Sequence, residues 1–577
     1  MKREWNNFVI ISLSITLIFS VIGNIYLVIG PEIQFTAPVS RTLNIGTHEG
    51  PSDLDPIHSW DISSNHIIEQ VCEGLFMHDL SDPNLKIVPR LAANYGTWDS
   101  SATHFTVQLR QNVFFHDGTK FNASSVKWTF ERINYFINAS GMPWVFNESY
   151  VSKIHSLYEF SNGTTILDPV NPVTINSEFS VTINLRGPFA ILESILCYVT
   201  AYMLSPASTP QFELVDTAYG RIVGTGPFVF NYYVVDIEVS LSRWDDYWLE
   251  PAFFEDVIFS IIKDDTKRNN AMLDHTIDYL IGPESSFLST YDSDPTINRK
   301  SDIKSSTYHA LVMNYKKINK TWRQAISFAI NYTHIIEILQ EGNVYRSNGP
   351  ISPNFPMYDP TIRTATWDLS KARQILVDAG ITTLTVNNDT TGPIAEAWKA
   401  ADFKIWNFTY EREKAFLADI SDLLQHNLDQ IGITVVNEDI SFWDCFPNWG
   451  CYFKLFDIEA LDFHWITWGP DYLSPYNIIV ELFSNQSTIN TALYHNHDVE
   501  MWLKQVLREP NSNIRKAIYR NILHLIVEVD MPHVFGYHPY LHYIHSMDIQ
   551  GVYYNTVGDR YGIGSLYIYP IYRDPNL

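Results

Sequence analysis

Three groups of residues in this chain have the types and spacing to do chemistry. The first is the pair His116-Asp117, beside Gly118 in VQLRQNVFFHDGTKFNASSVKWTFERI, residues 107–133. A histidine next to a carboxylate can act as an acid–base pair or as two metal ligands. The second is His533, His538, His542 and His545, whose spacings of five, four and three could gather imidazoles on a helix. The third is the set of four cysteines, Cys72, Cys197, Cys445 and Cys451, which could bind metal or form disulfides.

The elements that must position these groups favour plainer roles. Asp117-Gly118 lies between two strand-like runs, and Asp-Gly is a strong turn signal. Asn122 stands where a helix N-cap belongs, and Val126, Phe130 and Ile133 follow at helical spacing. The stretch reads as strand, turn and capped helix, with the nearest other histidine, His104, on the preceding strand. In PHVFGYHPYLHYIH, Pro539 separates His538 from His542 and breaks a common helical face, so extended chain with packed or surface histidines is expected there. No C-x-x-C occurs, which argues against a zinc or redox site. Cys445 and Cys451 flank the Pro/Gly turn of CFPNWGC, a candidate short-loop disulfide in an oxidising compartment. Cys72 and Cys197 are a second pair or two buried thiols.

The 577 residues are 46% hydrophobic, 14% aromatic and 18% charged, a core-forming composition. A net charge of −25 argues against nucleic acid or an anionic membrane as partner. Lys2 and Arg3 precede a charge-free run of 23 residues, 8–30. As a helix it would span about 34 Å, enough for a bilayer with the bulk of the chain outside. It carries no A-x-A site directly after it and is long for a signal core, so an uncleaved anchor is favoured over a cleaved signal peptide. Nine N-x-[ST] sequons, at Asn122, Asn138, Asn147, Asn162, Asn319, Asn331, Asn388, Asn407 and Asn485, fit an external glycoprotein.

Strands and helices then alternate to the end of the chain. Leu43, Ile45 and Thr47 alternate as a strand, and residues 65–72 read as a helix. HFTVQLR, VTINLRGPF, VSLSRW and DVIFSII are strand candidates. TWRQAISFAINYTHIIEIL and DLSKARQILVDAG are helices, and AFLADISDLLQHNLDQIGITVV is a helix running into a strand. The fold class is α/β.

The stretch at 107–133 resembles the signature of family 5 extracellular solute-binding proteins, the large oligopeptide-, dipeptide- and nickel-binding proteins of ABC importers. The likeness continues in LDPIHSWDISSNHIIEQVCEGLF (54–76), VPRLAANYGTW (from 88), GTGPFVFNYYVVDIEVSLSRWDDYW (224–248), WRQAISFAINYTHI and DLSKARQILVDAG. It runs from about Arg41 to the C-terminus. It implies a two-lobed, Venus-flytrap fold of the periplasmic-binding-protein type, with an extra subdomain on the first lobe. Lobe 1 would comprise residues 40–80, 215–305 and 545–577, the extra subdomain 81–214 and lobe 2 residues 306–544, following the anchor at 1–30.

The resemblance further implies a ligand held between the lobes and enclosed by hinge closure. TWGPDYLSPY, residues 467–476, is similar to the segment of oligopeptide binders whose aspartate pairs with the ligand's α-ammonium group. Carried across, that residue is Asp471, with Trp468 and Tyr472 beside it. Gly469-Pro470 departs from the pattern, and a loop-capping Asp471 is the competing reading. His48 and Glu49 follow the first strand, where this family's chain approaches its ligand; Arg323 is expected on a helix surface rather than as a carboxylate clamp.

The expected role is therefore peptide capture outside the cell by a membrane-anchored monomer that delivers to an ABC permease and its ATPase, with no cofactor and no catalysis. The chain has no G-x-x-x-x-G-K-[ST], so import energy would come from those partners. Oligosaccharide or nickel-chelate binding, a sensory ectodomain and an external hydrolase are the alternatives; G-x-S-x-G and H-E-x-x-H are absent from the sequence.

Overall fold

The computed structural model describes residues 40–59, 61–139, 165–217, 221–412, 414–440, 461–487, 489–557 and 566–574. The chain divides into two units, Met1–Arg41 and Thr42–Leu577, and the sheets and helices that position the site belong to the second. The expected anchor at 8–30 and the Cys445–Cys451 pair lie outside the described residues. Among the described residues, no helix is long and apolar enough to cross a membrane.

Strand Thr42–Thr47 buries Leu43 and Ile45 completely, as its alternation requires. It runs parallel to Asp256–Ile261 on one side and to Tyr279–Leu280 on the other. Antiparallel strands Glu238–Arg243 and Phe228–Val234 extend this half to its edge. The other half orders Ile433–Ile440, Lys404–Glu411, Phe463–Trp468 and Tyr308–Met313 side by side.

One strand, His533–Ser546, joins the halves into a continuous twelve-stranded sheet. Its 14 residues span about 45 Å at ~3.3 Å each, enough to serve both. Its first residues pair with Tyr308–Met313, and its last pair with Ile297–Lys304. The chain crosses between halves here and again at residues 305–307. The two crossings are tied together: Ser305 N–H donates to Pro539 O at 2.9 Å, and His538 Nδ1 lies 2.9 Å from Thr307 O.

The four histidines of the second group thus lie along an extended strand rather than a helix. His533 stacks on Tyr308, His538 on Tyr345 and His545 between Tyr279 and Tyr554. Burial pushes His533 down to about 3 and His538 and His542 to about 4.

The His116-Asp117 pair is the turn its spacing suggests. Gly118 has φ 81°, and Asn122 Oδ1 accepts from Ser124 N–H at 2.9 Å at the start of helix Ala123–Ala139. His116 Nε2 lies 2.9 Å from Gly226 O. Burial raises the Asp117 carboxyl, but hydrogen bonds from Ser205, Ser208 and Thr119 outweigh it and hold it at about 2. A four-stranded sheet, Thr97–Trp98, His104–Gln108, Ser180–Asn184 and Val173–Ser177, packs with that helix. Phe105, Val107, Val181 and Ile183 meet Val126, Phe130 and Ile133 in one core.

That core continues past the four-stranded sheet into the helices Pro475–Phe483 and Ser512–Leu523. Phe189 meets Tyr476 edge-on at 6.3 Å, and Ala190 N–H donates to Leu507 O at 2.8 Å.

Two expectations need correction. The helix expected through TWRQAISFAINYTHIIEIL stops at Ala329, because Ile330 turns to ψ 128°; a separate π-helical turn, His334–Leu339, follows. Arg323 is buried, not on a helix surface. Its Nε donates to Asp530 O at 2.8 Å, its Nη1 to Ile318 O at 2.6 Å, and its guanidinium lies 4.0 Å from the Tyr315 ring centre. Backbone carbonyls and a ring face satisfy the cation where no carboxylate is needed.

Candidate functional site

The motifs that carry the resemblance converge on two buried polar nodes. At the first, Glu73 takes four donors: Arg90 Nε at 2.6 Å, Tyr247 Oη at 2.8 Å, Trp248 Nε1 at 2.8 Å and Thr225 Oγ1 at 2.9 Å. Four donors occupy all the lone-pair sites of a carboxylate. Thr225 is brought in by two flanking glycines. A Cβ on Gly224 would lie 2.1 Å from Val71 O, and one on Gly226 would lie 2.5 Å from Gln70 O, so only glycine fits against this helix end. At the second node, Arg132 grips Asp55 with both terminal nitrogens, and Val215 N–H adds a bond at 2.9 Å. Both nodes are saturated from within the protein.

The cavity lies beside them. It has a volume of about 30 Å³. Helix Ile62–Val71 contributes Asn65, His66 and Glu69; residues 194–198 contribute Ser194, Cys197 and Tyr198; the loop 470–473 supplies Asp471 and Tyr472 from the other half of the sheet. A second cavity, of about 40 Å³, shares Glu69, His78 and Cys197 with it and backs onto Arg90. Residues from both halves of the sheet therefore line the site.

Local hydrogen bonds fix the loop that carries Asp471. Its N–H donates to Asn477 Oδ1 at 2.9 Å, Ser474 N–H donates to Tyr472 O at 2.8 Å, and Ser474 caps helix Pro475–Phe483. Tyr472 is buried, which raises its phenol well above the ordinary range. His78 lines both cavities; burial pushes its imidazole down to about 4, against the pull of its bond to Leu85 O at 2.8 Å. It presents a neutral ring at physiological pH.

Of the residues singled out in sequence, Asp471 and Tyr472 meet in this cavity. Trp468 ends the neighbouring strand and packs against the apolar core instead; its indole N–H is buried with no hydrogen-bond partner among the described residues. Glu49 lines a separate, smaller cavity that shares only His66 with the first. His48 lines neither: it is exposed, 3.2 Å from Arg268 Nη1 and 3.6 Å from Asp265. Cys72 and Cys197 are free, buried thiols in the wall of the second cavity, and burial raises both well above the ordinary thiol range. Asn65, His66 and Glu69 escaped the sequence reading. Six of the ten residues of helix Ile62–Val71 are polar, so residue type alone does not single these three out.

Comparison with known proteins identifies the family. The di/tripeptide-binding protein 1 of Pseudomonas aeruginosa is 24% identical over 446 residues, 74% of this chain and 76% of that protein. The heme-binding protein A of Haemophilus influenzae is 23% identical over 334 residues, and the match spans only 56% of its length. The ABC transporter-associated periplasmic binding protein DppA of Helicobacter pylori, solved with the peptide STSA, superposes with a TM-score of 0.66 at 21% identity, covering 92% of this chain and 98% of that one. The family description for bacterial extracellular solute-binding proteins, family 5, matches residues 86–490, and the chain belongs to that family.

Proposed function

We propose that this protein is the extracellular solute-binding component of an ABC importer and that it captures peptides. The observation that carries the reading is Asp471 in the cavity between the two halves, with the aromatic rings of Tyr198 and Tyr472 in the same lining. An ammonium group against a carboxylate in a partly dry cleft makes a charge-assisted hydrogen bond, and aromatic faces accept side chains or cations. His66, Glu69 and His78 supply polar partners from the opposite half.

A ligand that touches Asp471 on one side and Glu69 on the other stabilises only the closed arrangement, so binding shifts the hinge. The lobes are taken as residues 40–80, 215–305 and 545–577 for the first, with 81–214 as its subdomain, and 306–544 for the second. The chemistry is binding without turnover, and a partner permease and ATPase drive import. The charge-free run at 8–30 would tether the protein near its permease and raise its effective concentration there.

Native mass spectrometry of the purified protein identifies a co-purified ligand: a peptide mixture supports the reading, and an oligosaccharide or a metal chelate replaces it. Titration of wild type and Asp471→Asn with one peptide and its N-acetylated form then tests the contact. The reading expects wild type alone to distinguish the two peptides. Equal affinity in all four combinations removes Asp471 from the site.

A further inference from the structure

The nine N-x-[ST] sequons play no part in the peptide reading, and the structure sorts them by burial. Asn319, Asn388, Asn407 and Asn485 are exposed, and all lie within residues 306–544, taken above as the second lobe. Asn122 and Asn331 are half-buried, and Asn331 N–H donates to Asn427 Oδ1 at 2.6 Å. Asn407 is exposed, but Thr409, the third residue of its sequon, is buried and donates to Glu438 Oε2 at 3.2 Å. The corresponding residues of the other three exposed sequons, Thr321, Thr390 and Ser487, keep part of their surface in solvent. Asn319, Asn388 and Asn485 are therefore the sequons that the folded surface presents among the described residues. The side chains of Asn138, Asn147 and Asn162 lie outside the described residues.

Two of the three share one end of the sheet. Strands Tyr308–Met313 and Phe463–Trp468 run antiparallel, with Tyr308 opposite Trp468 and Met313 opposite Phe463. The Trp468 end leads into the loop of Asp471. The Met313 end lies about 17 Å away at ~3.3 Å per residue. There Ile318 N–H donates to Asn314 O at 2.9 Å, which turns the chain just before Asn319. The loop that carries Asn485 is fastened at the same end. Asn490 Nδ2 donates to Ser484 O at 3.0 Å, and Tyr315 N–H donates to Ala492 O at 2.8 Å.

We propose that Asn319, Asn388 and Asn485 carry N-linked glycans, and that the sugars at Asn319 and Asn485 cover the end of the second lobe away from the ligand cavity. This rests on the external location in the reading above and adds a modification to it. The donor is a lipid-phosphate-linked oligosaccharide. The amide nitrogen Nδ2 bonds to the anomeric carbon, and the bond from that carbon to the phosphate oxygen breaks. The lipid phosphate leaves, one amide proton is released, and no oxidant or reductant takes part. The oxygen and the nitrogen of these amides have separate tasks. Asn319 Oδ1 accepts from Trp322 N–H at 3.2 Å as a helix cap, and Asn388 Oδ1 accepts from Ser370 N–H at 2.7 Å. Among the described residues, none accepts a hydrogen bond from Nδ2 of these three asparagines. A glycan on Nδ2 leaves both oxygen contacts in place, so the cap and the sugar coexist. Sugar at the Met313 end leaves the Asp471 loop bare.

The test is mass spectrometry of the full chain isolated from the surface fraction of the cells that make it, both intact and as glycopeptides. Saccharide-bearing peptides are expected for Asn319, Asn388 and Asn485, and unmodified peptides for Asn122, Asn331 and Asn407. Two variants locate the sugars. Asn319→Asp keeps an oxygen for the helix cap and loses the acceptor amide, and Asn485→Gln keeps an amide of the wrong length. Each is expected to lower the intact mass by one glycan and to leave peptide affinity unchanged, and either variant alone suffices. Unmodified Asn319, Asn388 and Asn485 in protein from the cell surface overturn the proposal while leaving the external location in place. Occupancy that ignores burial, with Asn331 or Asn407 modified and Asn319 and Asn485 bare, also overturns it. Unmodified protein recovered from the cytosol alone removes the external location and the proposal with it.

Discussion

The node at Glu73 is a carboxylate enclosed by the protein's own donors, whereas Asp471 lies in the lining of a cavity. Around Glu73 every hydrogen-bonding site of the carboxylate is spent on this chain's own donors, and the Arg90 that balances it also stacks 5.1 Å from the Trp248 ring. Around Asp471, carboxylate, imidazole and phenol groups from both halves line a shared cavity. A buried polar group satisfied from within holds the fold, whereas polar groups grouped around a cavity can recognise something else. The strongest sequence motifs, LDP with its Asp55, the Glu73 segment, GTGPF and DYW, fall almost wholly on the first side of that divide. They identify the architecture with little information about the ligand.

The sharpest way to break the comparison is Glu73→Ala. It leaves Arg90 buried without its carboxylate, and a stability loss of about 3–5 kcal/mol is expected in denaturant titration. A loss below about 1 kcal/mol would mean that the node is not what holds these segments together.

The strand that joins the halves gives the next effect. His538 is fully buried at the crossing, and its imidazole is pushed from 6.5 down to about 4. The folded protein refuses a proton that the unfolded chain accepts, so stability falls as pH drops from about 6.5 toward 4. The loss is expected at about 2–3 kcal/mol for this histidine. Chemical unfolding at a series of pH values checks it, and His538→Asn should flatten the slope. An unchanged slope would place the titration elsewhere.

On the cavity side, Asp471→Asn should change stability by less than about 1 kcal/mol and weaken binding of a free-amino-terminal peptide by about ten- to a hundredfold. The reverse pattern, lost stability with unchanged affinity, would move Asp471 to the structural side.

The smallest effect belongs to the exposed turn at Asp117. Its carboxyl, held at about 2 against an ordinary 3.8, contributes stability above pH 3.8 that is lost as pH falls through 2. Solvent screening limits it to about 1 kcal/mol or less. Asp117→Asn should remove only that increment, measured between pH 5 and pH 2.

Local signals in the sequence carried much of the fold. Alternation located Thr42–Thr47 and His104–Gln108, and Asp-Gly with Asn122 located the turn and the helix start. Signals that depend on distant partners did not show. Arg323 reads as a surface residue by helical position, yet its partners are the carbonyl of Asp530, 207 residues on, and the ring of Tyr315. The π-helical turn at His334–Leu339 follows a break at Ile330 that no glycine or proline announces. The segment TWGPDYLSPY pointed to Asp471, which lies in the cavity lining. His66 and Glu69 were hidden among the six polar residues of their helix, since only the approach of the other half turns that face into a cavity wall.

The central claim is that a peptide held by Asp471 draws the two halves together. Small-angle scattering of wild type and Asp471→Asn, each titrated with the same free-amino-terminal peptide, tests it most directly. The account predicts a radius of gyration that shrinks on saturation of wild type, with the variant needing about ten- to a hundredfold more peptide to reach the same value. Saturated binding with superimposable scattering curves, or equal compaction of both proteins at equal peptide concentration, would contradict it.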